Sequence, residues 1–241
     1  LIKDIFKCLF LHFPDSRALQ TDFISNISHE FKTPISAIEG YVSLLQDARQ
    51  SPQEQEAYAE KILLSARRLS TLTGNILLLS KLNNQSIRPA LTNFRLDEQI
   101  RQAFVSLESR WTEKNIDFDI DLNEIWYNGY EGLTIHIWTN LIDNAIKFDP
   151  QDGLIRMRLF ERAARVYFVI EDNGPGIREA DQKRIFNKFY QGDTSRRMEG
   201  NGLGLSLVKQ IVEMSGGEIA VENLPQGGCR FTVSLPRELQ S

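Results

Sequence analysis

Two apolar repeats at helical spacing open the sequence, and they constrain its fold more than any other feature. In the first repeat the apolar residues step by three or four positions, and in the second the steps alternate between four and three without a break. Each repeat predicts a helix with one apolar stripe, over about 16–48 and 52–83. The first consists of Ile24, Ile27, Phe31, Ile35 (or Pro34), Ile38, Val42 and Leu45, and the second of Tyr58, Ile62, Ser65, Leu69, Leu72, Ile76 and Leu79.

A polar stretch between the repeats predicts a tight connection and the start of the second helix. The turn spans Asp47 to Gln50, Ser51 suits an N-cap, Pro52 suits the first helical position, and Glu54 completes a capping box. The result is a helical hairpin, which by itself leaves part of its apolar stripes uncovered. Pairing two hairpins in a homodimer would give a four-helix bundle. Packing of the hairpin on the C-terminal domain is the alternative.

The pattern changes after the hairpin. Residues 84–93 are polar, contain Pro89 and have no period, so they are interpreted as a linker. Residues 94–241 then mix helical and alternating patterns, which predicts an α+β domain. The predicted helices cover 96–114, 133–148 and 203–215, and the predicted strands cover 116–122, 155–160, 166–171, 217–222 and 229–235.

Composition and charge exclude some classes of function. The net charge of −4 over 241 residues argues against a general nucleic-acid binder. The two cysteines, Cys8 and Cys229, are far apart and form no metal or redox motif. No stretch reaches the ~18 apolar residues of a membrane span. Residues 1–15 are interpreted as the end of a connector from an upstream sensor region that is missing here.

A polar face on the helix predicted over 133–148 is the first of three motifs that together point to a nucleotide. Asn140, Asn144 and Lys147 are spaced by four and three residues, so they share one face. The Asn144 amide offers an oxygen of the kind that Mg²⁺ prefers, and Lys147 offers a charge for a phosphate. A solvated helix face is an equally good interpretation of this motif alone.

The second motif, residues 172–177 (Asp-Asn-Gly-Pro-Gly-Ile), directly follows a predicted strand. Asp172 can accept a hydrogen bond from an exocyclic amine such as that of adenine. Gly174 and Gly176 permit tight turns and close approach of a ligand to the backbone. Taken alone, this motif is an ordinary turn.

The third motif, residues 200–205 (Gly-Asn-Gly-Leu-Gly-Leu), opens a predicted helix. Glycine amides at a helix N-terminus form a cradle for anions. The polar segment before it contains Arg196 and Arg197 and suits a lid over phosphates, although an exposed loop has the same composition.

In their order and spacing, the three motifs resemble the N, G1 and G2 boxes of the Bergerat ATP-binding fold. This α+β two-layer sandwich is shared by sensor histidine kinases, type II topoisomerases, MutL-like repair ATPases and heat-shock chaperones. Residues 185–190 stand where the kinases carry their F box. The resemblance covers 94–236 and implies that ATP and Mg²⁺ bind here, with Asn144 as the metal ligand. The implied nucleotide-binding residues are Asn140, Asn144, Lys147, Asp172, Gly174, Gly176, Tyr190, Arg196, Arg197, Gly202, Leu203, Gly204 and Leu205.

One residue distinguishes the members of this fold that hydrolyse ATP from those that transfer its phosphoryl group. Its hydrolysing members carry a glutamate at the first N-box position, where it acts as a base for water. This chain has Asn140 there, and an amide cannot take a proton from water at neutral pH. Direct hydrolysis of ATP is therefore disfavoured, and the phosphoryl group needs another acceptor.

Residues 23–34 resemble the H box of sensor histidine kinases with the HisKA-type dimerisation domain. Imidazole is mostly neutral and nucleophilic at pH 7. The resemblance implies that His29 attacks through Nε2, that Glu30 orients the ring or takes its proton, and that Thr33 serves a phosphatase reaction on the partner. Pro34 removes a helical hydrogen bond and predicts a hinge just beyond the acceptor.

The resemblance as a whole implies the cytoplasmic portion of a bacterial, membrane-anchored sensor kinase. Such a homodimer phosphorylates His29 from Mg-ATP and passes the group to an aspartate of a response-regulator receiver domain, without nucleic acid. Two features depart from the family pattern: Gln191 replaces a phosphate-binding arginine, and residues 128–132 lack the usual aspartate-led pattern. A true ATPase or chaperone of the same fold and a non-catalytic dimeric scaffold are the alternatives.

Overall fold

The computed structural model describes residues 17–46, 50–83, 90–192 and 200–237, with side chains from residue 24 onward. The chain divides into two compact units, Leu1–Ser86 and Ile87–Ser241, here called the helical unit and the α/β unit. The predicted class, a helical hairpin followed by an α+β domain, is confirmed. Within the described ranges, no helix has the length and apolar character that crossing a membrane requires.

The helical unit consists of α1 (Arg17–Leu45) and α2 (Pro52–Asn83). The predicted capping box at the start of α2 is confirmed. The backbone N–H of Ser51 donates to Glu54 Oε2 at 2.8 Å, and the backbone N–H of Glu54 donates to Ser51 Oγ at 3.3 Å. These two bonds satisfy amide groups that have no partner within the helix, so they fix where α2 begins. Most of the predicted turn, residues 47–49, lies outside the described residues.

The two helices bury only part of their apolar surface. The rings of Tyr41 and Tyr58 stack across the hairpin with centroids 5.8 Å apart. Pro34 is buried, and α1 continues through it. The buried apolar residues are Ile27, Leu72, Ile76 and Leu79, whereas Ile35, Val42, Leu44, Leu63, Leu64 and Leu77 are exposed. Ile35 and Val42 are one heptad apart, so they lie on one face of α1.

The α/β unit combines a five-stranded sheet with a layer of helices. The helices are α3 (Leu96–Val105), α4 (Glu108–Glu113), α5 (Glu131–Phe148), α6 (Glu179–Gln182) and α7 (Gly204–Met214). The strands are β1 (Thr92–Arg95), β2 (Asp117–Leu122), β3 (Trp126–Gly129), β4 (Leu154–Arg162), β5 (Arg165–Glu171), β6 (Glu218–Asn223) and β7 (Cys229–Pro236).

The large sheet has the strand order β2-β4-β5-β7-β6. The β2–β4 pair is parallel and the other pairs are antiparallel. Side chains in β4 and β5 alternate between buried and half-buried, so one face of the sheet forms the core. Trp138 of α5 meets Phe168 of β5 edge to face, with centroids 5.0 Å apart, and both are almost fully buried. This face positions α5 over the sheet.

Two local predictions were wrong. Thr92 and Asn93 of the predicted linker belong to β1, which pairs with β3 far along the chain. The predicted single helix over 96–114 is two helices, because the chain turns at Ser106 and Leu107. The turn stacks Trp111 on Phe104 at 5.2 Å. The local periodicity of the sequence predicts neither the pairing of β1 with β3 nor the change of direction at Ser106 and Leu107.

Alternating charges cross the face of the sheet opposite the core in register, from β6 to β2. Arg230 bridges to Glu222 at 2.8 Å and to Glu171 at 2.6 Å. Arg156 lies 3.9 Å from Glu171 and 3.7 Å from Asp119. We call Glu222, Arg230, Glu171, Arg156 and Asp119 the charge ladder. Each neighbouring pair is also a pair in strand register, so the ladder reports the alignment of all five strands.

Candidate functional site

The start of α7 lies against the polar face of α5. Asn140, Asn144 and Lys147 are all half-buried on that face. A Cβ placed on Gly204 would lie 2.5 Å from Asn140 Oδ1, and one placed on Gly200 would lie 2.7 Å from Lys147 Nζ. The structure therefore brings the first and third motifs together, and the glycines make this close approach possible.

The amide of Asn140 is oriented by its own helix. Its Nδ2 donates to the backbone carbonyl of His136 at 2.7 Å, so its Oδ1 points toward Gly204. Burial lowers the pKa of His136, which favours the neutral ring. At this position the chain thus presents a fixed amide rather than a carboxylate base.

Asp172 stands at the end of β5, with its carboxylate buried and held in one orientation. Oδ1 accepts hydrogen bonds from the backbone N–H of Gly174 at 2.9 Å and of Cys229 at 3.3 Å, and Oδ2 accepts one from the Cys229 thiol at 3.0 Å. Burial raises the pKa of Asp172, and these hydrogen bonds oppose the rise. Burial, followed by the Asp172 charge, also raises the pKa of Cys229.

The turn that follows Asp172, residues 172–177, is called the G1 turn below. It is packed too tightly for side chains at its glycines. A Cβ on Gly174 would lie 2.7 Å from the carbonyl oxygen of Phe148, and Gly176 has a φ of +71°. Asn223 of β6 holds the end of the turn by accepting from the Ile177 N–H at 2.8 Å and donating to its carbonyl at 2.7 Å. The G1 turn therefore contacts both α5 and the β6–β7 hairpin.

The third motif is closed by a backbone bond to the predicted F box. The N–H of Phe189 donates to the carbonyl of Gly202 at 2.8 Å. Gly202 has a φ of +64°, and a Cβ there would lie 2.7 Å from the backbone of Phe189. Leu203 is fully buried next to it, and Leu205 is half-buried in the first turn of α7. The motif thus anchors the start of α7 beside Asn140, on the polar face of α5.

Residues around the predicted lid form their own network. The Tyr190 hydroxyl donates to the Asp181 carboxylate, and Arg184 lies over the Tyr190 ring at 4.7 Å. Gln191, which replaces the expected arginine, donates from Nε2 to the carbonyl of Gly200 at 2.9 Å. Tyr190 as a nucleotide ligand stays a prediction. Two further predicted residues, Arg196 and Arg197, lie outside the described residues.

In the helical unit, His29 is exposed on α1. Glu30, next to it, is half-buried and lies 3.7 Å from Arg68 Nη2. Thr33, one turn along the helix, donates its hydroxyl hydrogen to the carbonyl of His29 at 3.3 Å, so its oxygen still has acceptor capacity. The histidine is thus accessible, with an acid and a hydroxyl on neighbouring positions.

Sequence reasoning missed several residues that shape the site. Cys229 and Asn223 hold the G1 turn from β7 and β6, and a Cβ on Gly228 would overlap the carbonyl of Asp172. Asp149 contacts the backbone of Asn173. The double glycine at 227–228 connects β6 and β7, and its sequence indicates no more than a hairpin turn. No local pattern shows which distant loop such a turn touches.

Comparisons with known proteins match both units. The family described as "His Kinase A (phospho-acceptor) domain" matches residues 19–85, and "Histidine kinase-, DNA gyrase B-, and HSP90-like ATPase" matches residues 129–239.

Individual relatives extend well beyond this chain. It is 30% identical to "Sensor-like histidine kinase SenX3" of Mycobacterium tuberculosis strain H37Rv over 246 residues, covering 98% of this chain and 59% of the relative. It is 32% identical to "Heme sensor protein HssS" of Staphylococcus saprophyticus, covering 91% of this chain and 47% of the relative. The structure of full-length ShkA in complex with AMPPNP is similar with a TM-score of 0.67 and 25% identity, covering 91% of this chain and 46% of that chain. The chain thus spans about half the length of these relatives.

Proposed function

Because the chain belongs to the sensor histidine kinase family, we propose that it transfers the γ-phosphoryl group of ATP to His29. The group then passes to an aspartate of a response-regulator receiver domain. The observation that carries the proposal is that one chain joins an exposed histidine on a phospho-acceptor helix to an ATP-binding unit whose hydrolytic base is replaced by Asn140.

The α/β unit holds the nucleotide through groups at both ends of the site. The buried carboxylate of Asp172 accepts from the adenine amine with the Oδ2 capacity that Cys229 leaves free. Lys147 and the glycine amides that begin α7 contact phosphate oxygens, since helix N-termini bind anions. The tight contacts at Gly200, Gly202 and Gly204 support this assignment, because side chains there would fill the cradle.

Mg²⁺ fits the polar face of α5. Among the described residues, no group of three or more His, Cys, Asp or Glu side chains is arranged to hold a metal ion. Mg²⁺ in phosphoryl-transfer sites needs few protein ligands, since it keeps water and phosphate oxygens. The amide oxygen of Asn144 is the protein ligand in this proposal. The ion, when bound, offsets phosphate charge.

The reaction at His29 is a nucleophilic substitution at the γ-phosphorus of ATP. The lone pair of His29 Nε2 forms the new N–P bond, the bond from the γ-phosphorus to the β–γ bridging oxygen breaks, and ADP leaves with the electron pair. The carboxylate of Glu30 orients the ring through its N–H or accepts the released proton. The guanidinium of Arg68 lies 3.7 Å from the Glu30 carboxylate and helps to hold it in place.

The rival function, direct hydrolysis of ATP by an enzyme or chaperone of the same fold, lacks a base in this site. The Asn140 amide has no lone pair on nitrogen that can take a proton, and its Nδ2 already donates to the His136 carbonyl. A water next to Asn140 is therefore not activated. The same reasoning favours transfer to a side-chain acceptor over release of phosphate.

Partner interactions complete the proposal. The exposed apolar residues of α1 and α2 support a homodimer in which two hairpins form a four-helix bundle. Thr33, with acceptor capacity on its oxygen, orients a water for dephosphorylation of the receiver aspartate. We place the chain in the cytoplasmic portion of a membrane-anchored bacterial sensor, because its bacterial relatives are named as sensors and it covers only part of each.

Incubation of the full chain with γ-labelled ATP tests the proposal. His29→Ala is expected to abolish the acid-labile, base-stable label while its affinity for a fluorescent ATP analogue stays within about twofold, because the two sites lie in different units. Asp172→Asn is the reciprocal variant, expected to lose both nucleotide binding and label. His12→Ala, a histidine outside the predicted motifs, is the matched control and is expected to label normally.

Three other results of these experiments would contradict the proposed kinase function. Label that persists in His29→Ala would refute this acceptor. Steady phosphate release without a phosphoprotein would support the hydrolysing rival, and tight ATP binding without label would support a scaffold. Transfer from labelled protein to a panel of receiver domains then identifies the partner.

A further inference from the structure

A buried carboxylate joins the end of α5 to the G1 turn. Asp149 follows α5 directly and is only 2% exposed. Its Oδ1 accepts a hydrogen bond from the backbone N–H of Asn173 at 2.6 Å. Its Oδ2 has no hydrogen-bond partner in the described part of the chain. A carboxylate in such a place costs free energy, so its contact with Asn173 calls for a role other than simple packing.

The position of Asp149 is fixed from several sides. Its own N–H donates to the carbonyl of Ala145 at 2.9 Å, which continues the α5 pattern. Lys114 Nζ donates to the carbonyl oxygens of Ile146, Lys147 and Asp149, each at 2.8 Å, and so caps the end of the helix. A Cβ on Gly153 would overlap Asp149 Oδ2, so the loop after α5 closes over the carboxylate.

A second contact next to it holds the same turn. The carbonyl of Phe148 lies so close to Gly174 that a Cβ there would be 2.7 Å away. Residues 149 and 148 therefore contact Asn173 and Gly174, the two residues that follow Asp172. The N–H of the second of them, Gly174, donates to Asp172 Oδ1.

We propose that Asp149 is a positioning residue for adenine: it accepts the Asn173 N–H, which fixes the peptide group between Asp172 and Asn173 and so orients the Asp172 carboxylate. This proposal rests on the proposed nucleotide-binding role of Asp172. It assigns Asp149 to the base side of the ligand rather than the phosphate side, because its side chain reaches the G1 turn whereas Lys147 lies at Gly200.

Loss of the acceptor leaves a buried N–H without a partner, which weakens the turn. The expected loss in affinity is about tenfold to a hundredfold. Because the contact acts on the adenine side, adenosine, ADP and ATP are expected to lose affinity by the same factor. A defect on the phosphate side would instead grow with the number of phosphates.

Isothermal titration of the full chain with adenosine, ADP and ATP provides the test, at a temperature where circular dichroism shows each variant folded. Asp149→Ala is expected to weaken all three ligands by at least about tenfold. Asp149→Asn keeps an oxygen acceptor in the same place and is expected to stay within about threefold of the unmodified chain. Asp152→Asn, in the same loop but exposed, is the matched control and is expected to bind normally.

Several results would overturn the proposal: unchanged affinities in Asp149→Ala, equal weakness of Asp149→Asn and Asp149→Ala, or a loss confined to ATP. If Asp149→Ala does not fold, Asp149→Ser, whose side chain is too short to reach Asn173, replaces it with the same expectations. The Asn173 amide of the unmodified chain is an independent check, since rapid hydrogen exchange there would also contradict the proposal.

This titration distinguishes failure of the proposed Asp149 role from failure of the proposed kinase function. Titration needs no phosphoryl transfer, so adenosine binding without a label on His29 refutes the kinase function and still decides the role of Asp149. Absence of all adenosine-nucleotide binding in the unmodified chain would refute both.

Discussion

The α/β unit and the helical unit differ in how completely they bury their apolar side chains. The α/β unit encloses large side chains completely, among them Tyr127, Trp138 and Phe168. The helical unit leaves Leu63 51% exposed and Val42 40% exposed on the surface of its hairpin. A two-layer sandwich closes a core with one copy of its chain, whereas a helical hairpin needs another surface to cover it.

This difference separates two kinds of site. The nucleotide-binding residues depend on contacts inside one folded unit, such as those of Cys229 and Asn223 with the G1 turn. The exposed histidine depends on a helix whose apolar face is completed by a partner in the proposed dimer. Stability of the α/β unit should therefore be independent of protein concentration, and stability of the helical unit should depend on it.

The largest expected effect comes from a charge on the uncovered face of α1. Val42→Glu is expected to raise the dissociation constant of the dimer about 1,000-fold, or ~4 kcal/mol, because two copies of the carboxylate would be buried without partners. Sedimentation equilibrium measures this change. Val105→Glu is the matched control, since Val105 is 59% exposed in the α/β unit. A dimer that survives Val42→Glu, or dissociates equally in Val105→Glu, would remove the proposed interface.

A core leucine in each unit gives the next largest effect. Leu141 in α5 and Leu72 in α2 are both 1% exposed, so either change to alanine is expected to cost about 2–5 kcal/mol. Urea unfolding at two protein concentrations distinguishes them. The Leu141→Ala midpoint should be the same at both concentrations, and the Leu72→Ala midpoint should rise with concentration. Leu91→Ala, at an exposed position, is the control and should change stability by less than about 0.5 kcal/mol.

These transitions can be followed unit by unit. All three tryptophans, Trp111, Trp126 and Trp138, lie in the α/β unit, so their fluorescence reports that unit alone. Far-ultraviolet circular dichroism reports the two long helices as well. Superimposable transitions by both probes, with equal dependence on concentration, would contradict the contrast between the units.

The smallest effect is a pH dependence inside the α/β unit. Burial raises the pKa of Asp149 above its ordinary value of 3.8, and the nearby Asp172 charge adds to the rise, while the Asn173 N–H and Lys114 oppose it. The folded state then binds more protons than the unfolded state between pH 3.8 and the raised pKa. The free energy of unfolding therefore falls as pH rises through this window, by at most about 1.4 kcal/mol for each pH unit.

Asp149→Asn removes that proton uptake. The free energy of unfolding of the variant, minus that of the unmodified chain, is therefore expected to increase from pH 4 to pH 7. Urea unfolding monitored by tryptophan fluorescence at several pH values measures the difference. A difference that stays constant, or decreases, would show that Asp149 carries no raised pKa in the folded unit.

Sequence predicted the features whose causes are local. The capping box of Ser51 and Glu54 and the alternating strands β4 and β5 follow from spacing alone, and the structure contains them. The β1–β3 pair and the break between α3 and α4 could not be predicted, because they depend on partners far along the chain.

The candidate site divides in the same way. The N-box and G1 residues were predictable as motifs, because Asn140, Asn144 and Lys147 share a helix face and Asp172 ends a strand. The thiol of Cys229 and the carboxylate of Asp149, which contact Asp172 and Asn173, carry no motif. Only the three-dimensional arrangement of the sheet and α5 brings them there.

The charge ladder disfavours a folded sheet in which one strand has slipped along its neighbour. Glu171 immediately precedes Asp172, and Arg230 immediately follows Cys229, so each strand carries a ladder residue beside a residue of the nucleotide site. If β5 slipped by two residues against β7, it would keep its buried face but lose the Glu171–Arg230 pair, and Asp172 would move about 7 Å from Cys229. The charge ladder therefore favours the correct strand alignment. A sheet whose strands slip by two residues keeps its hydrophobic core but loses ion pairs on the opposite face.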